Sequence, residues 1–260
     1  MSRVAANRVK SIEELVPGIY KMTLESEYIA EAARPGQFVN IRCCGDGSTL
    51  LRRPVSICGV DRDNNDYVIV FQVKGTGTGL LAAKRPGDAL DVMGPLGKSF
   101  DISPRYGRIA VVGGGIGIFP LLFVLREGKA AVRHSYLGFR SSSLVVMRDE
   151  FSRASDRCEI CTDDGSEGYR GLVTELLERD IARSPFDIIY ACGPTPMLKK
   201  VSEIAEKYGI PCQVSLEQRM GCGFGACLVC ACKTVKGEDW EYKHVCKDGP
   251  VFWSRDVIFE

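Results

Sequence analysis

Over its first hundred positions the chain alternates short apolar runs with turn residues. Phe38–Cys43, Val55–Val60 and Tyr67–Val73 have the length and the β-branched and aromatic content of strands. Around them stand Pro35-Gly36, Gly45-Asp46-Gly47, Asp63-Asn64-Asn65-Asp66 and Pro86-Gly87, each a turn signal. Many short strands at such spacing predict a small antiparallel β-barrel from Arg3 to about Ser103. From about Arg105 the period changes. Arg108–Val112 reads as a buried strand, a glycine cluster follows, and an apolar helix is predicted from about Phe119 to Glu127. Val132–Gly138 is the next strand, Leu172–Arg179 a helix, Phe186–Cys192 a strand and Pro196–Lys207 a helix. Strands alternating with helices predict a doubly wound parallel sheet. The last stretch, Leu216 to Glu260, is rich in Cys and Gly and poor in regular pattern. The expected fold class is therefore α+β and multidomain. A barrel covers 1–103, an α/β domain 104–213 and a small cysteine-bearing module 214–260, with joints in the polar stretches near 103–107 and 211–217.

Composition narrows the class of protein without specifying it. Of 260 residues, 45% are hydrophobic and 26% charged, which is ordinary for a globular chain and excludes disorder. The 34 basic and 33 acidic residues leave a net charge of +1, so charge gives no reason to expect nucleic acid or an anionic membrane as partner. The longest apolar run, Ile116–Leu125, contains a proline and falls well short of the roughly 20 residues that span a bilayer. Met1–Lys10 has basic residues but no apolar core behind them, so a cytoplasmic protein is expected.

The segment Ile109-Ala-Val-Val-Gly113-Gly114-Gly115-Ile116-Gly117-Ile118-Phe119-Pro120 reads as strand, glycine turn and helix start. Gly113, Gly114, Gly115 and Gly117 would let the backbone turn tightly and approach a pyrophosphate. The bland alternative is a glycine turn with no ligand. The pattern departs from the usual dinucleotide fingerprint: it reads G-x-G-x-x-P, and Gly138-Phe139-Arg140-Ser141-Ser142-Ser143 follows the second strand where an acidic residue is usual. Arg140 and its serines suit either an NADP 2′-phosphate or a solvated turn, so NADH and NADPH both stay open. Ala191-Cys192-Gly193-Pro194-Thr195-Pro196-Met197 closes a later strand, at the end where open α/β sheets bind ligands. Cys192 there could pack beside a flat ring, with Gly193 allowing close approach, or could be a buried core thiol.

Twelve cysteines stand in a long chain, and five of them crowd into 222–246. Thiols clustered in this way usually hold metal. Cys222, Cys227 and Cys230 follow a C-x4-C-x2-C pattern and Cys246 comes later, the plant-type [2Fe–2S] spacing. Gly221, Gly223 and Gly225 make backbone N–H groups available to the sulfurs. Zinc is the competing reading, because four thiolates also close a tetrahedral site, but a glycine-rich x4 loop argues against it. Cys232 reads as a spare buried thiol, and His134 and His244 as ordinary surface or core residues.

In the barrel, Arg52-Arg53-Pro54-Val55-Ser56-Ile57 offers a guanidinium for pyrophosphate and a hydroxyl for a ring, and Lys74-Gly75-Thr76-Gly77-Thr78-Gly79 is a second phosphate-suited turn. Arg-Pro-Val-Ser, Gly-Thr-Gly-Thr, Gly-Gly-Gly-Ile-Gly-Ile-Phe-Pro and Cys-Gly-Pro in this order resemble the ferredoxin–NADP reductase superfamily. The tail, Leu216–Cys222 through Val245–Phe252, is similar to the electron-transfer subunits of heterotetrameric, NAD-dependent dihydroorotate dehydrogenases, and this resemblance covers nearly the whole chain. It implies a six-stranded flavin-binding barrel, with FAD contacts at Arg53, Pro54, Val55 and Ser56, at Val70, Phe71 and Gln72, and at Gly77 and Thr78. It implies a [2Fe–2S] cluster on Cys222, Cys227, Cys230 and Cys246, NAD(H) as co-substrate, and an FMN-containing dihydroorotate dehydrogenase catalytic subunit as partner in a heterotetramer of two of each. Sulfide-dehydrogenase-like subunits, including those of bifurcating transhydrogenases, share the first two domains but carry Asp in place of the first cysteine. Cys222 therefore favours the dihydroorotate partner.

Overall fold

A computed structural model describes residues 2–45 and 49–260, so Asp46 and Gly47 of the second turn lie outside the described residues. Among these residues the chain forms a closed six-stranded barrel, a seven-stranded sheet and a separate hairpin. The barrel strands are β1 (Arg3–Val16), β2 (Ile19–Glu25), β3 (Phe38–Arg42), β4 (Arg53–Asp61), β5 (Asp66–Gln72) and β6 (Ala89–Leu96), closed in the order β1-β2-β5-β4-β3-β6. Every pairing is antiparallel. Alternate residues fill the interior: Val39 and Ile41, Val55 and Ile57, Ile69 and Phe71, Leu90 and Val92. Two short helices, α1 (Glu27–Ala32) and α2 (Thr76–Ala82), add Ile29 and Leu81 to the same core.

The second layer holds β7 (Arg108–Gly114), β8 (Val132–Phe139), β9 (Arg157–Thr162), β10 (Tyr169–Arg170), β11 (Ile188–Cys192) and β12 (Cys212–Ser215), with α3 (Phe119–Glu127), α4 (Arg148–Ala154), α5 (Val173–Ile181) and α6 (Thr195–Lys207) between them. The strands run parallel in the order β10-β9-β8-β7-β11-β12. Because helices cover both faces, β7 is apolar from Ile109 to Gly114. Ile109 and Val111 join the core that contains α3 and α4, and Ala110 and Val112 the core of α5 and α6.

Helix α3 fixes the barrel against the sheet. Its residues from Phe119 to Leu125 are all buried, as expected of a helix with protein on every side. Phe123 belongs to the barrel core and Leu121 and Leu122 to the sheet core. Arg62 at the end of β4 clamps Glu127 through two bonds of 2.8 and 2.9 Å. Across the connecting segment, the Tyr190 hydroxyl donates to the Asp101 carbonyl at 2.7 Å, and Phe100 meets Tyr190 edge-on.

The cysteine-rich tail has more regular structure than its sequence suggests. β13 (Ala231–Lys236) and β14 (Asp239–His244) form a hairpin, and β15 (Val251–Trp253) pairs antiparallel with β12, so the tail supplies the last strand of the α/β sheet. The hairpin escapes a pattern reading because nearly all its strand residues are exposed or half-buried, which leaves no clear apolar alternation to detect. No helix among the described residues is long and apolar enough to cross a membrane.

Candidate cofactor sites

Strands β4 and β5 and the start of α2 converge on one side of the barrel. Arg52 and Arg53, adjacent in sequence, have different surroundings. Arg52 grips both carboxylate oxygens of Asp91 at 3.0 and 2.9 Å, so it braces β4 against β6. Arg53 meets no carboxylate among the described residues and donates only to the carbonyls of Leu51 and Arg52. Gly77 lies directly beneath it: a Cβ there would come 2.5 Å from Arg53 Nε. Helix α2 can lie under the guanidinium because that position is glycine, and the guanidinium there could pair with an anion. Thr78 is already engaged, its hydroxyl accepting from the backbone N–H groups of Lys74 and Gly75. Pro54 and Ser56 are half-buried on the outer barrel face, opposite Asn40 and Phe38 of β3. Val55, Val70 and Phe71 bury their side chains in the core, so what they can offer a ligand is backbone. Gln72 opens instead onto a cleft of about 700 Å³.

That cleft runs from Gln72 and Lys74 over Gly114, Gly115 and Gly117 to Gly193, Pro194, Met197 and Lys200. It lies at the carboxyl ends of β7 and β11, where Gly113 and Cys192 are register partners. Gly115 has φ +56, a backbone state natural to glycine. A Cβ on Gly117 would approach the Cys192 carbonyl oxygen to 2.5 Å. The two turns therefore touch backbone to backbone. Gly117→Ala is expected to push them apart at a cost of about 1–3 kcal/mol. Its midpoint of thermal unfolding should fall; an unchanged midpoint would refute the close-approach account. Cys192 is half-buried and packs against the α3 side of the core. Burial pushes its thiol up to about 12 against a hydrogen bond from Ser215, so it is a neutral thiol and no thiolate nucleophile. Arg140 and Asp163 both line the far end of the cleft, one charge of each sign. Lys200 was not legible as a site residue, because Lys199-Lys200 on an amphipathic helix reads as solvated charge.

The four cysteines meet in two pairs. The Sγ atoms of Cys222 and Cys227 are 3.5 Å apart. The backbone N–H groups of Phe224, Ala226 and Cys227 all point at Cys222 Sγ, at 3.5, 3.2 and 3.4 Å. Gly223 at φ +82 and Gly225 at φ +89 give the loop this inward turn. Burial opposes ionisation of Cys222, but these donors outweigh it and bring the thiol down to about 6. Cys230 and Cys246 are buried and hydrogen-bonded to each other; burial first, then Cys230, pushes Cys246 up to about 12, while the Gly225 N–H draws the other way. Among the described residues no three ligating side chains converge as on a single ion. Four thiols in two pairs, with backbone N–H groups aimed at the Cys222 sulfur, are a donor set that could hold an iron–sulfur cluster. Cys232 packs beside this group on β13, and His244 leans towards Asp248, Nδ1 to Oδ2 3.6 Å. His134, at the start of β8, packs edge-on against Phe186, and burial holds its pKa below the usual imidazole value.

Residues 217–258 match the iron-sulfur cluster binding domain of dihydroorotate dehydrogenase B, and residues 111–203 the oxidoreductase NAD-binding domain. The chain is 43% identical over 243 residues to the dihydroorotate dehydrogenase B (NAD(+)) electron transfer subunit of Geobacillus thermodenitrificans, covering 92% of both chains. It is 41% identical to the subunit of the same name from Caldanaerobacter subterraneus, covering 97% of both. The chain belongs to the dihydroorotate dehydrogenase B electron transfer subunits. Its fold overlays, with a TM-score of 0.84 and 33% identity, on a chain of the NADH-dependent reduced ferredoxin-NADP oxidoreductase structure solved for insight into flavin-based electron bifurcation, covering 100% of this chain and 92% of that one. As expected from the sequence, a family member of this architecture is an oxidoreductase component that uses FAD, an iron–sulfur cluster and NAD.

Proposed function

We propose that this chain is the electron-transfer component of an NAD-dependent dihydroorotate dehydrogenase in the cytoplasmic synthesis of UMP, assembled as two copies with two copies of an FMN-containing catalytic subunit. Electrons from dihydroorotate, oxidised to orotate at the partner's FMN, pass singly through a [2Fe–2S] cluster to FAD and leave in pairs as hydride to NAD⁺. The observation that carries this reading is the outer face of β3 and β4. Pro54 and Ser56 of the flavin motif lie there, beside Phe38 and Asn40, against which the cysteine module packs. A two-electron site and a one-electron site thus share one wall. Around the cysteine loop Phe224, Leu228 and Val229 are exposed, apolar groups suited to a docking partner.

When bound, FAD supplies the exchange between paired and single electrons, and the chain supplies placement. Arg53, with Gly77 beneath it, holds the pyrophosphate. Ser56, Gln72 and the backbone of Pro54, Val55, Val70, Phe71 and Thr78 hold the rest of the flavin. Gly113, Gly114, Gly115, Gly117 and Gly193 leave room for the dinucleotide, and Cys192 packs where nicotinamide meets the flavin. Cys222, Cys227, Cys230 and Cys246 ligate the cluster. Cys192→Ala is expected to slow hydride transfer from NADH to FAD about tenfold by loosening that contact, with FAD content unchanged; an unaltered stopped-flow rate removes Cys192 from the site. A second reading, a reductase subunit serving a ferredoxin, a sulfide or polysulfide site or an oxygenase, draws on the overlay with the ferredoxin-NADP oxidoreductase chain. Co-purification decides between the two. The expected partner is an FMN protein that oxidises dihydroorotate and reduces NAD⁺ only with this chain present. A colourless, zinc-loaded protein would end both readings.

A further inference from the structure

One buried side chain joins the cysteine loop to the flavin strand. Asn40, 1% exposed, stands on the outer face of β3 opposite Pro54. Its Nδ2 donates to the carbonyl of Cys222, 182 positions along the chain, at 3.1 Å. A Cβ on Gly223 would lie 2.3 Å from the same nitrogen, so the loop closes onto the amide with only a glycine's clearance. The Asn40 backbone is held as well: its carbonyl accepts from Arg52 Nη1 at 3.3 Å, and Arg52 is itself locked to Asp91. Asn40 Oδ1, by contrast, is buried with no hydrogen-bond partner. An apolar side chain would avoid that unmet acceptor, and the next outward position on the same strand, Phe38, is apolar. The amide is explained by its donor, and that donor serves only the first cysteine's carbonyl.

We propose that Asn40 is a positioning residue for electron transfer between flavin and cluster. Its amide pins the Cys222 segment to the strand paired with the flavin motif and so fixes the distance between the two. This rests on the reading above, in which Pro54–Ser56 contact FAD and Cys222 ligates iron. In the NADH-driven direction the flavin, reduced by hydride, is oxidised by one electron as the cluster is reduced by one, and the flavin keeps the other. Asn40 gains and loses nothing. The hydride step, at the Gly113–Gly117 end of the cleft, does not involve it.

The test uses the full chain loaded with FAD and cluster, mixed with NADH in a stopped-flow instrument, with the reduced cluster then examined by electron paramagnetic resonance. Wild type is measured first; if its cluster is not reduced by NADH through FAD, the underlying functional reading fails before any variant is made. Asn40→Leu is expected to keep both cofactors and the rate of flavin reduction, to slow cluster reduction about tenfold, and to shift the g-values of the reduced cluster. A packing role alone would not separate the two rates. Wild-type cluster reduction with a wild-type resonance spectrum overturns the proposal. If Asn40→Leu loses its cluster, Asn40→Ser is judged by the same two readouts. Loss of the cluster from both variants also overturns the proposal, because Asn40 would then serve assembly and not transfer.

Discussion

Cys222→Ser is expected to yield a folded yellow chain that reduces its flavin with NADH but passes nothing to the partner. Cys222 is the most solicited sulfur of the four, the acceptor of three backbone N–H groups and the near neighbour of Cys227. A serine oxygen is shorter and harder, and would leave those donors aimed at a poorer acceptor and one iron without its thiolate. Iron–sulfur absorption should vanish, and turnover of dihydroorotate with NAD⁺ should fall on the order of a hundredfold or more, since single electrons have no other carrier. Reduction of a flavin-accepting dye by NADH should stay close to wild type. Cys232→Ser is the companion: it packs near the group but lies outside the C-x4-C-x2-C spacing, and should keep cluster and turnover. A Cys222→Ser chain with its cluster intact, or a Cys232→Ser chain without one, would reassign the ligands.

Arg53→Ala should release FAD. The guanidinium has no carboxylate of its own among the described residues and is seated over Gly77. A charge-assisted bond from it to pyrophosphate is worth about 1.5–3 kcal/mol, or roughly ten- to a hundredfold in FAD affinity. Gel filtration of the variant should strip the flavin, and titration should restore it at higher concentration. Arg52→Ala separates binding from bracing. It deletes a partly exposed ion pair and two bonds to backbone carbonyls, so it should lower stability by about 1–3 kcal/mol with a smaller change in FAD affinity. If the two variants lost flavin equally, the division of labour between adjacent arginines would be wrong.

Much of this was readable from the chain, for a physical reason in each case. Buried strands such as Arg108–Val112 announce themselves by continuous apolarity, and the Gly113–Gly117 cluster by the close approach it permits. The cysteine spacing is legible because Cys222, Cys227 and Cys230 lie close together in sequence and the loop between them folds back on the Cys222 sulfur. What stayed hidden has no local signal. β1 exposes most of its fourteen residues, with only Asn7 and Val9 fully buried, so no two-residue period marks it as a strand. The β13–β14 hairpin is hidden for the same reason, although Gly237 at φ +62 turns it. Asn40 is illegible because its importance comes from a residue 182 positions away. In sequence Arg52 and Arg53 look alike, and only the position of Asp91 separates them.

The pairing of β15 with β12 makes the metal-bearing tail a poor candidate for exchange as a cassette. A cut just after residue 215 would remove Val251–Trp253 and leave Gln213–Ser215 with an open strand edge and Val214 without its cross-strand partner Phe252. Bare edges of that kind recruit other chains and aggregate. Swapping in a different redox module would therefore require a replacement for that closing strand too, so the nucleotide layer and the iron-bearing segment stand or fall together in any rearranged version of the gene.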